Sequence, residues 1–377
     1  MLINRRLAPL LLIFALHGCT TFEDFLAERH GPKPVRVVPV SQRPVEAPLL
    51  PNHFVLESPQ QTVIGVPQVV LTRDSDTFSD LARAYGLGYD ELVAANPGID
   101  PWLPGDQTPV LLPTQFVLPA VAREGVVLNI ASKRLFYFPK MPDGQPQVVM
   151  SYPIGIGRVG WETPLGPASV VAKAVNPTWY VPASVRQEHA ANGDPLPAIV
   201  PPGPDNPLGT RVLQLNLPGY LIHGTNQPYG VGMRVSHGCV RLYPENIETL
   251  YELVAIGEAV QIINQPYLLG ELNGEVLFEA HAPLADDTVS ADDRLHEILV
   301  QLGESSSYVL SKKVEENLRQ AATDARGIPV RIQDYEPAEA LARARHVRNI
   351  VEVDPDAPTL SEVRQMMDEV LQQDDQT

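Results

Sequence analysis

One segment of this 377-residue chain concentrates residue types that could carry out nucleophilic chemistry. The segment, residues 222–242, reads IHGTNQPYGVGMRVSHGCVRL and places His223 and His237 before Cys239. A cysteine attacks a carbonyl as the thiolate, yet a free thiol is mostly protonated at neutral pH, so it needs a neighbouring base. Imidazole is the side chain whose ordinary pKa suits that task. The segment therefore predicts a thiol nucleophile that is activated by a histidine.

Cysteine usage supports the same prediction. The chain has two cysteines, and the other one, Cys19, ends an N-terminal stretch typical of an export signal. Arg5 and Arg6 form its positive start, and residues 7–16 form an apolar run too short to span a bilayer. Exported proteins meet an oxidising compartment, in which unpaired thiols are usually avoided. If Cys19 is lipidated or removed, Cys239 remains as a lone thiol and hence as a candidate nucleophile.

The segment resembles the catalytic region of the L,D-transpeptidases, the YkuD-like family. The residues that carry this resemblance are His223, Gly224, Ser236, His237, Gly238 and Cys239. Val240 and Arg241 follow, and an arginine in that place is similar to the Gram-negative enzymes that attach a cell-wall lipoprotein or cross-link stem peptides. The resemblance covers roughly residues 124–264. It implies a mostly β catalytic domain, a YkuD-like sandwich, with a short helix after the nucleophile loop.

The resemblance also implies roles for individual residues. Cys239 would be the nucleophile, and His223 would be the proton acceptor and donor. The backbone of His237, Gly238 and Cys239 would form an oxyanion hole, in which one donor is worth roughly 3–4 kcal/mol in other acyl-transfer enzymes. No cofactor and no metal are implied.

Four further residues are candidate substrate contacts: Arg241, Ser236, Tyr229 and Gly224. The guanidinium of Arg241 could bind a substrate carboxylate bidentately. A salt bridge from Arg241 to a local acid such as Glu245 is an equal alternative.

Two other interpretations of the segment compete with a thiol acyl-transfer site. His223, His237 and Cys239 could bind zinc, but they would be three ligands without a clear fourth. Cys19 and Cys239 could form a disulfide, which lipidation of Cys19 would forbid.

Composition and the N-terminal region limit which partners and which cellular location are possible. The net charge of −17 argues against nucleic acid, whose phosphates require a basic surface. Residues 1–19 are predicted to be a signal peptide with a lipoprotein cleavage box, and lipidation at Cys19 would anchor the protein to the outer membrane, facing the periplasm. Ordinary cleavage to a soluble periplasmic protein is the alternative. Residues 20–67 are rich in proline and are interpreted as an extended tether or a disordered leader.

The remaining regions complete an α+β multidomain chain. Residues 68–119 show a small βααβ pattern, in which the spacing of Phe78, Leu81 and Tyr85 predicts one helix. This region resembles a LysM module, which binds peptidoglycan glycan strands; a packing domain without sugar contacts is the alternative. Residues 265–377 are predicted to be an acidic, partly helical extension.

The reaction implied by the resemblance has two steps. Cys239 attacks the carbonyl of the third residue of a tetrapeptide stem, taken as meso-diaminopimelate, and D-alanine leaves. An amine from another stem, giving a 3-3 cross-link, or from a lysine of a small outer-membrane lipoprotein then resolves the thioester. Water as acceptor would make the protein an L,D-carboxypeptidase or an amidase. A non-catalytic peptidoglycan-binding lipoprotein is the alternative from another functional class.

Overall fold

The computed structural model describes residues 38–49, 52–304 and 311–352. The predicted signal with Cys19, residues 20–37 and 50–51 of the proline-rich tether and a helix predicted near Thr359 lie outside the described residues. The extended tether predicted up to residue 67 is wrong for its later part, because short strands at Phe54–Val55 and Val63–Gly65 pair with other strands, and Leu56 and Ile64 are buried. None of the helices in the described ranges has both the length and the apolar character needed to cross a bilayer.

Residues 54–117 contain the strand–helix–helix–strand pattern that the sequence predicts, and we call residues 68–119 the N-terminal module. The elements of this region are β1 (Phe54–Val55), β2 (Val63–Gly65), β3 (Gln68–Leu71), α1 (Phe78–Ala84), α2 (Tyr89–Ala95), β4 (Pro109–Leu112) and β5 (Gln115–Val117). β3 pairs antiparallel with β4, and β2 pairs antiparallel with β5. α1 begins at a capping box, in which the side chains of Thr77 and Asp80 accept hydrogen bonds from each other's backbone N–H.

Residues 125–263 form the predicted mostly β domain. Its elements are β6 (Gly125–Asn129), β7 (Arg134–Phe138), β8 (Val148–Pro153), β9 (Ile156–Gly157), β10 (Gly166–Val175), β11 (Trp179–Tyr180), α3 (Ala183–Ala191), β12 (Ile199–Val200), β13 (Arg211–Leu215), β14 (Leu221–His223), β15 (Arg234–Ser236), β16 (Val240–Arg241), α4 (Pro244–Leu253) and β17 (Ala259–Ile263). Nine strands form one sheet in the order β1-β8-β7-β6-β17-β10-β13-β14-β16. One apolar cluster contains residues from distant strands of this sheet, such as Leu135 and Val240, so the sheet curves around that core.

The structure corrects one predicted strand and confirms one predicted helix near the site. The sequence predicts a single strand over residues 212–222, but the structure has the antiparallel pair β13 and β14 there. Pro218 lies in the turn, and proline cannot donate a hydrogen bond to a strand neighbour, which explains the break. α4 follows the nucleophile loop as predicted, and it buries Ile247 and Leu250. Sequence analysis did not predict α3.

β6 and β7 are buried along their whole length because each side of the pair faces a different core. Side chains alternate between the two faces of a strand. On β7, Leu135 and Tyr137 belong to the core enclosed by the curved sheet. Phe136 and Phe138 belong to a second cluster.

The second cluster joins the sheet to the N-terminal module. It contains Phe136 of β7 together with Phe78 and Leu92 of α1 and α2. A buried ion pair crosses the same boundary, where Arg134 Nη2 lies 2.7 Å from Glu91 Oε2. The module and the sheet therefore share one hydrophobic core, and the described residues between Pro39 and Glu352 group as one compact unit.

The C-terminal extension contains the predicted helices and a sheet that was not predicted. Its described elements are β18 (Tyr267–Leu272), β19 (Glu275–Ala280), α5 (Ala291–Glu304), α6 (Lys312–Asp324), β20 (Val330–Arg331), α7 (Pro337–Arg343) and β21 (Arg345–His346). α5 and α6 pack on β18 and β19 through a third cluster that includes Leu295, Phe278 and Leu318. The Asn273-Gly274 dipeptide between β18 and β19 is a strong local signal for this hairpin.

The end of the described chain returns to the N-terminal module. β21 pairs in parallel with β3 and so extends the sheet of the module to three strands. The Tyr85 hydroxyl donates a hydrogen bond to the carbonyl of Arg348 at 2.7 Å. Residues near the C-terminal end of the described chain therefore complete the fold of the N-terminal module.

Candidate active site

Two neighbouring parallel strands bring the predicted base and nucleophile to the same edge of the sheet. β14 ends at His223, and β16 begins directly after Cys239. Their register pairs Ile222 with Val240 and His223 with Arg241. The Leu242 N–H also donates to the His223 carbonyl at 2.9 Å, which extends this pairing.

Hydrogen bonds from hydroxyl side chains hold the loop before the nucleophile. Ser236 Oγ accepts from the Gly238 N–H at 3.2 Å and donates to the Cys239 carbonyl at 2.5 Å. Thr163 Oγ1 donates to the Gly238 carbonyl at 2.9 Å. Gly238 has φ of +100°, and a Cβ there would lie 2.9 Å from the ring of Tyr220, so only glycine suits this position. Ser236 thus shapes the loop.

The imidazole of His223 is buried and is held in one orientation. Its side chain is 3% exposed, and Nδ1 donates to the carbonyl of Gly224 at 2.6 Å. This contact assigns the ring proton to Nδ1, which leaves Nε2 as the nitrogen with a free lone pair. Burial, together with the positive charge of Arg241, lowers the pKa of His223 to about 3. The ring is therefore neutral over the physiological pH range.

The thiol of Cys239 is half-buried and protonated at rest. Burial raises its pKa above the ordinary cysteine value. Within the described residues, the thiol donates to the Gly219 carbonyl at 3.5 Å, and a hydrogen bond from the Leu221 backbone partly opposes the rise in its pKa. Cys239 is a free cysteine, and its alternative disulfide partner, Cys19, lies outside the described residues. The resting pair is accordingly a neutral thiol and a neutral imidazole.

His237 belongs to a different network. Its Nε2 lies 3.0 Å from Glu188 Oε2 and 3.2 Å from Arg158 Nη2, and Glu188 also forms an ion pair with Arg158. The ring of Trp161 packs edge-on against the imidazole at 4.9 Å. Burial and Arg158 lower the pKa of His237. Glu188 lies on α3, and sequence analysis did not single it out.

The backbone donors of the nucleophile loop differ in their partners. The Gly238 N–H is occupied by Ser236 Oγ. In the described part of the chain, the N–H groups of His237 and Cys239 have no acceptor. Of the three backbone donors that the resemblance implies, at His237, Gly238 and Cys239, those of His237 and Cys239 are therefore free to meet a substrate oxygen.

Arg241 lies beside the nucleophile without a counter-charge. Side chains two residues apart on a strand point to the same face, so Arg241 follows Cys239 on that face. The alternative of a salt bridge with Glu245 is wrong, because Glu245 pairs with Arg83 through two contacts of 3.1 Å. Arg241 Nε is buried and has no hydrogen-bond partner in the described residues.

The other two predicted substrate contacts, Tyr229 and Gly224, differ in their surroundings. Tyr229 lies in a short 3-10 helix, Pro228–Gly230, and is 67% exposed. Gly224 contacts His223 through its carbonyl, and a Cβ at this position would lie 3.1 Å from Ile247. In the described residues, no group of three or more His, Cys, Asp or Glu side chains is arranged to hold a metal ion.

Comparison with known proteins agrees with this arrangement. The family model of the YkuD L,D-transpeptidase catalytic domain matches residues 123–262. The chain is 38% identical over 273 residues to the probable L,D-transpeptidase YcfS of Escherichia coli K12, covering 71% of this chain and 83% of that protein. It is also 38% identical over 277 residues to the probable L,D-transpeptidase YbiS of the same strain, covering 72% and 88% of the two chains.

Among solved structures, the chain is similar to an L,D-transpeptidase from Mycobacterium smegmatis, with 20% identity, a TM-score of 0.29 and coverage of 40% of this chain and 61% of that one. The family model and the two Escherichia coli relatives all carry the name L,D-transpeptidase. Those relatives are matched over most of their length. The chain therefore belongs to the L,D-transpeptidase family.

Proposed function

We propose that this L,D-transpeptidase acts on peptidoglycan stem peptides through a covalent thioester on Cys239. The observation that carries the proposal is the parallel pairing of β14 with β16, which sets a neutral, oriented His223 on the strand next to the nucleophile. Cys239 attacks the carbonyl of the third stem residue, the bond from that carbonyl to D-alanine breaks, and an amine later takes the acyl group.

His223 is the general base of the first step. The thiol hydrogen leaves the Gly219 carbonyl and transfers to Nε2 as Sγ attacks. The hydrogen bond from Nδ1 to the Gly224 carbonyl strengthens as the ring becomes positive. The imidazolium then returns its proton to the nitrogen of the departing D-alanine, so that the proton count balances. General acid–base catalysis of this kind typically contributes 10²–10⁴-fold to the rate.

Backbone donors stabilise the oxyanion that forms during attack. The N–H groups of His237 and Cys239 supply this role, since the Gly238 N–H already donates to Ser236 Oγ. Such donors act without reorganisation because the loop is fixed before the substrate arrives. The Glu188–Arg158–His237 network contributes by holding the backbone of His237 in place.

The second step defines the product. A diaminopimelate amine from another stem gives a 3-3 cross-link, and a lysine of a small outer-membrane lipoprotein gives lipoprotein attachment. Water gives the L,D-carboxypeptidase or amidase reaction. A non-catalytic wall-binding lipoprotein is disfavoured because it would not require an oriented imidazole next to an unpaired thiol.

The N-terminal module supports contact with glycan strands, in keeping with its LysM-like sequence. Trp102 is 60% exposed, and its ring lies 6.0 Å from that of Tyr89. Exposed aromatic rings offer an apolar face to sugar rings. We expect Trp102→Ala in the full chain to weaken binding to purified sacculi several-fold, measured by co-sedimentation. The control Ile256→Ala removes another exposed apolar side chain, and an equal loss in the control would remove the glycan assignment.

Export and lipidation complete the proposal. The apolar segment at residues 7–16 and the Gly18-Cys19 junction support processing at Cys19 and anchoring at the outer membrane, in the periplasm. Cys19→Ser should block processing while leaving thiol reactivity at Cys239 unchanged. A mature N-terminus after Cys19, with release of the protein by osmotic shock, would show a soluble periplasmic enzyme instead.

The decisive test of the reaction uses Cys239→Ala. The wild-type chain is incubated with tetrapeptide sacculi, with and without the lipoprotein, and the muropeptides are analysed by mass. We expect D-alanine release by the wild type and none by the variant, with the same thermal melting for both. Turnover by the alanine variant would contradict the thioester mechanism, and the masses of the products identify the acceptor.

A further inference from the structure

Arg241 is a positive charge that the described protein leaves unsatisfied. No Asp or Glu oxygen of the described residues lies within ion-pair distance of its guanidinium, and its side chain donates no hydrogen bond there. Three other arginines near the site do have acidic partners: Arg158 pairs with Glu188, Arg234 with Asp286 and Arg83 with Glu245. An unpaired, largely buried guanidinium is costly, and a chain with 45 acidic and 28 basic residues has acids to spare.

Arg241 lies next to both the nucleophile and the base. Arg241 shares a strand face with Cys239, and it is in register with His223 on the neighbouring strand. The charge of Arg241 acts on both groups, since it lowers the pKa of His223 and opposes the rise in the pKa of Cys239. An anion on this guanidinium would therefore lie next to the reacting thiol.

Two glycines approach Arg241 with backbone only. A Cβ built at Gly230 would lie 3.9 Å from Arg241 Nη1, and one built at Gly155 would lie 3.4 Å from Arg241 Cβ and 2.8 Å from the Gly230 carbonyl oxygen. On this side the neighbours of Arg241 are therefore uncharged backbone, which offers the guanidinium no carboxylate.

We propose that Arg241 binds the α-carboxylate of the residue that leaves, and that it thereby restricts the acyl donor to peptides that end one residue after the scissile bond. This proposal rests on the proposed function. The carboxyl carbon of that residue is three covalent bonds from the attacked carbonyl carbon, each about 1.3–1.5 Å long. A carboxylate therefore reaches a guanidinium beside the thiol when the carbonyl is at Sγ, and the planar fork can bind it bidentately.

Binding of a carboxylate to Arg241 would also make His223 a stronger base. The charge of Arg241 is one of the causes of the lowered pKa of His223. A bound carboxylate offsets this charge, so His223 accepts the thiol proton more readily when the correct donor is present. The leaving residue then departs with its carboxylate, which frees Arg241 for the next cycle.

The experiment compares two donors in the full chain. One is a tetrapeptide stem with a free C-terminal D-alanine, and the other is the same stem ending in D-alaninamide. For the wild type we expect kcat/KM to be on the order of 10–100-fold higher for the free acid, because a charge-assisted bidentate pair is lost with the amide. Arg241→Gln should lower kcat/KM for the free acid more than for the amide, so that the ratio between the two donors falls towards one.

Two further variants and a labelling control complete the design. Arg241→Lys should retain an intermediate preference for the free acid, because it keeps the charge but not the fork. Arg186→Gln, which removes an exposed arginine on α3, should leave the preference unchanged. Alkylation of Cys239 by iodoacetamide and the melting temperature report whether each variant keeps its fold and a reactive thiol.

The outcomes separate the two proposals. Equal losses with both donors in Arg241→Gln and in Arg241→Lys, with labelling intact, would overturn the carboxylate assignment while leaving the thioester mechanism. A wild type with no preference between the donors would overturn it as well. If the wild type released no D-alanine from the free acid and formed no thioester, the proposed function would fail and this inference with it.

Discussion

At the scale of single residues, the two histidines of the nucleophile segment are distinguished by their partners. His223 donates to a carbonyl and offers its other nitrogen as a base, whereas the ring of His237 is tied to Glu188 and Arg158. Both have lowered pKa values and both precede Cys239 in the same segment. The hydrogen-bond partners therefore identify His223 as the base, whereas residue type alone does not distinguish it from His237.

This difference predicts unequal effects of mutation. We expect His223→Ala to slow acylation of Cys239 by 10²–10⁴-fold, because the general base is lost. His237→Ala should slow it less, because its imidazole contributes only through the position of the loop. The measurement is the rate of adduct formation with a carbapenem, a strained acyl donor, followed by intact mass. Equal losses, or the reverse order, would reassign the base.

The protonation state of the resting pair predicts a pH profile. The pKa of Cys239 is raised, so the thiolate fraction is small at neutral pH and grows as the pH rises. We expect the rate of alkylation by iodoacetamide to increase steadily with pH and to reach its midpoint above about 8.5, the ordinary cysteine value. The urea-unfolded chain provides the reference. A plateau of high reactivity below neutral pH would instead indicate a thiolate–imidazolium pair.

At the scale of elements, the loop between base and nucleophile is braced by the N-terminal module. The Tyr89 N–H donates to the Val231 carbonyl at 3.3 Å, and the Tyr243 hydroxyl donates to the Leu87 carbonyl at 3.1 Å. A Cβ at Gly232 would lie 2.4 Å from the Cα of Gly88, so two backbones meet here without side chains between them. The turn between α1 and α2 thus supports the loop that follows His223.

A pair of glycine variants tests this contact. Gly232 and Gly257 have similar φ values, +87° and +91°, but a Cβ at Gly257 would meet nothing within 4 Å. We expect Gly257→Ala to cost about 1–2 kcal/mol of stability from backbone strain alone, with activity retained. Gly232→Ala should cost more and should also reduce D-alanine release, because the module and the loop must separate. Equal effects on stability and activity would show that the close approach is unimportant.

At the scale of the whole molecule, the N-terminal module and the catalytic sheet form one cooperative structure. Phe136 on β7 packs in the cluster that contains the helices of the module, and Arg134 pairs with Glu91 across the boundary. The C-terminal strand β21 adds to the sheet of the module. An isolated fragment of the module would expose half of a shared core, so glycan binding is best measured in the full chain.

Phe136→Ala tests this cooperativity. Removal of a buried phenylalanine typically costs about 3–5 kcal/mol, and here the loss falls on both regions at once. We expect a single calorimetric transition in the wild type and in the variant, at a lower temperature in the variant. The transition should have equal calorimetric and van't Hoff enthalpies. Two separate transitions, with only one of them shifted, would show that the module folds independently.

The sequence by itself determined the features that depend on neighbouring residues. His223 and Cys239 are recognisable because they lie in one short segment, and α4 is recognisable because Ile247 and Leu250 follow helical spacing. The hairpin at Asn273-Gly274 depends on the same kind of local signal. In each case the interactions that decide the structure are local, so residue type and spacing carry the information.

Only the tertiary structure decided which distant groups meet. From the sequence, Arg241 could equally form a salt bridge with Glu245 or bind a substrate carboxylate. In the structure, Glu245 instead pairs with Arg83 of the N-terminal module. Glu188 reaches His237 from a helix that the sequence did not predict. A side chain's type states which partners it accepts, but the path of the backbone decides which one is within reach, and that path depends on core packing spread over the whole chain.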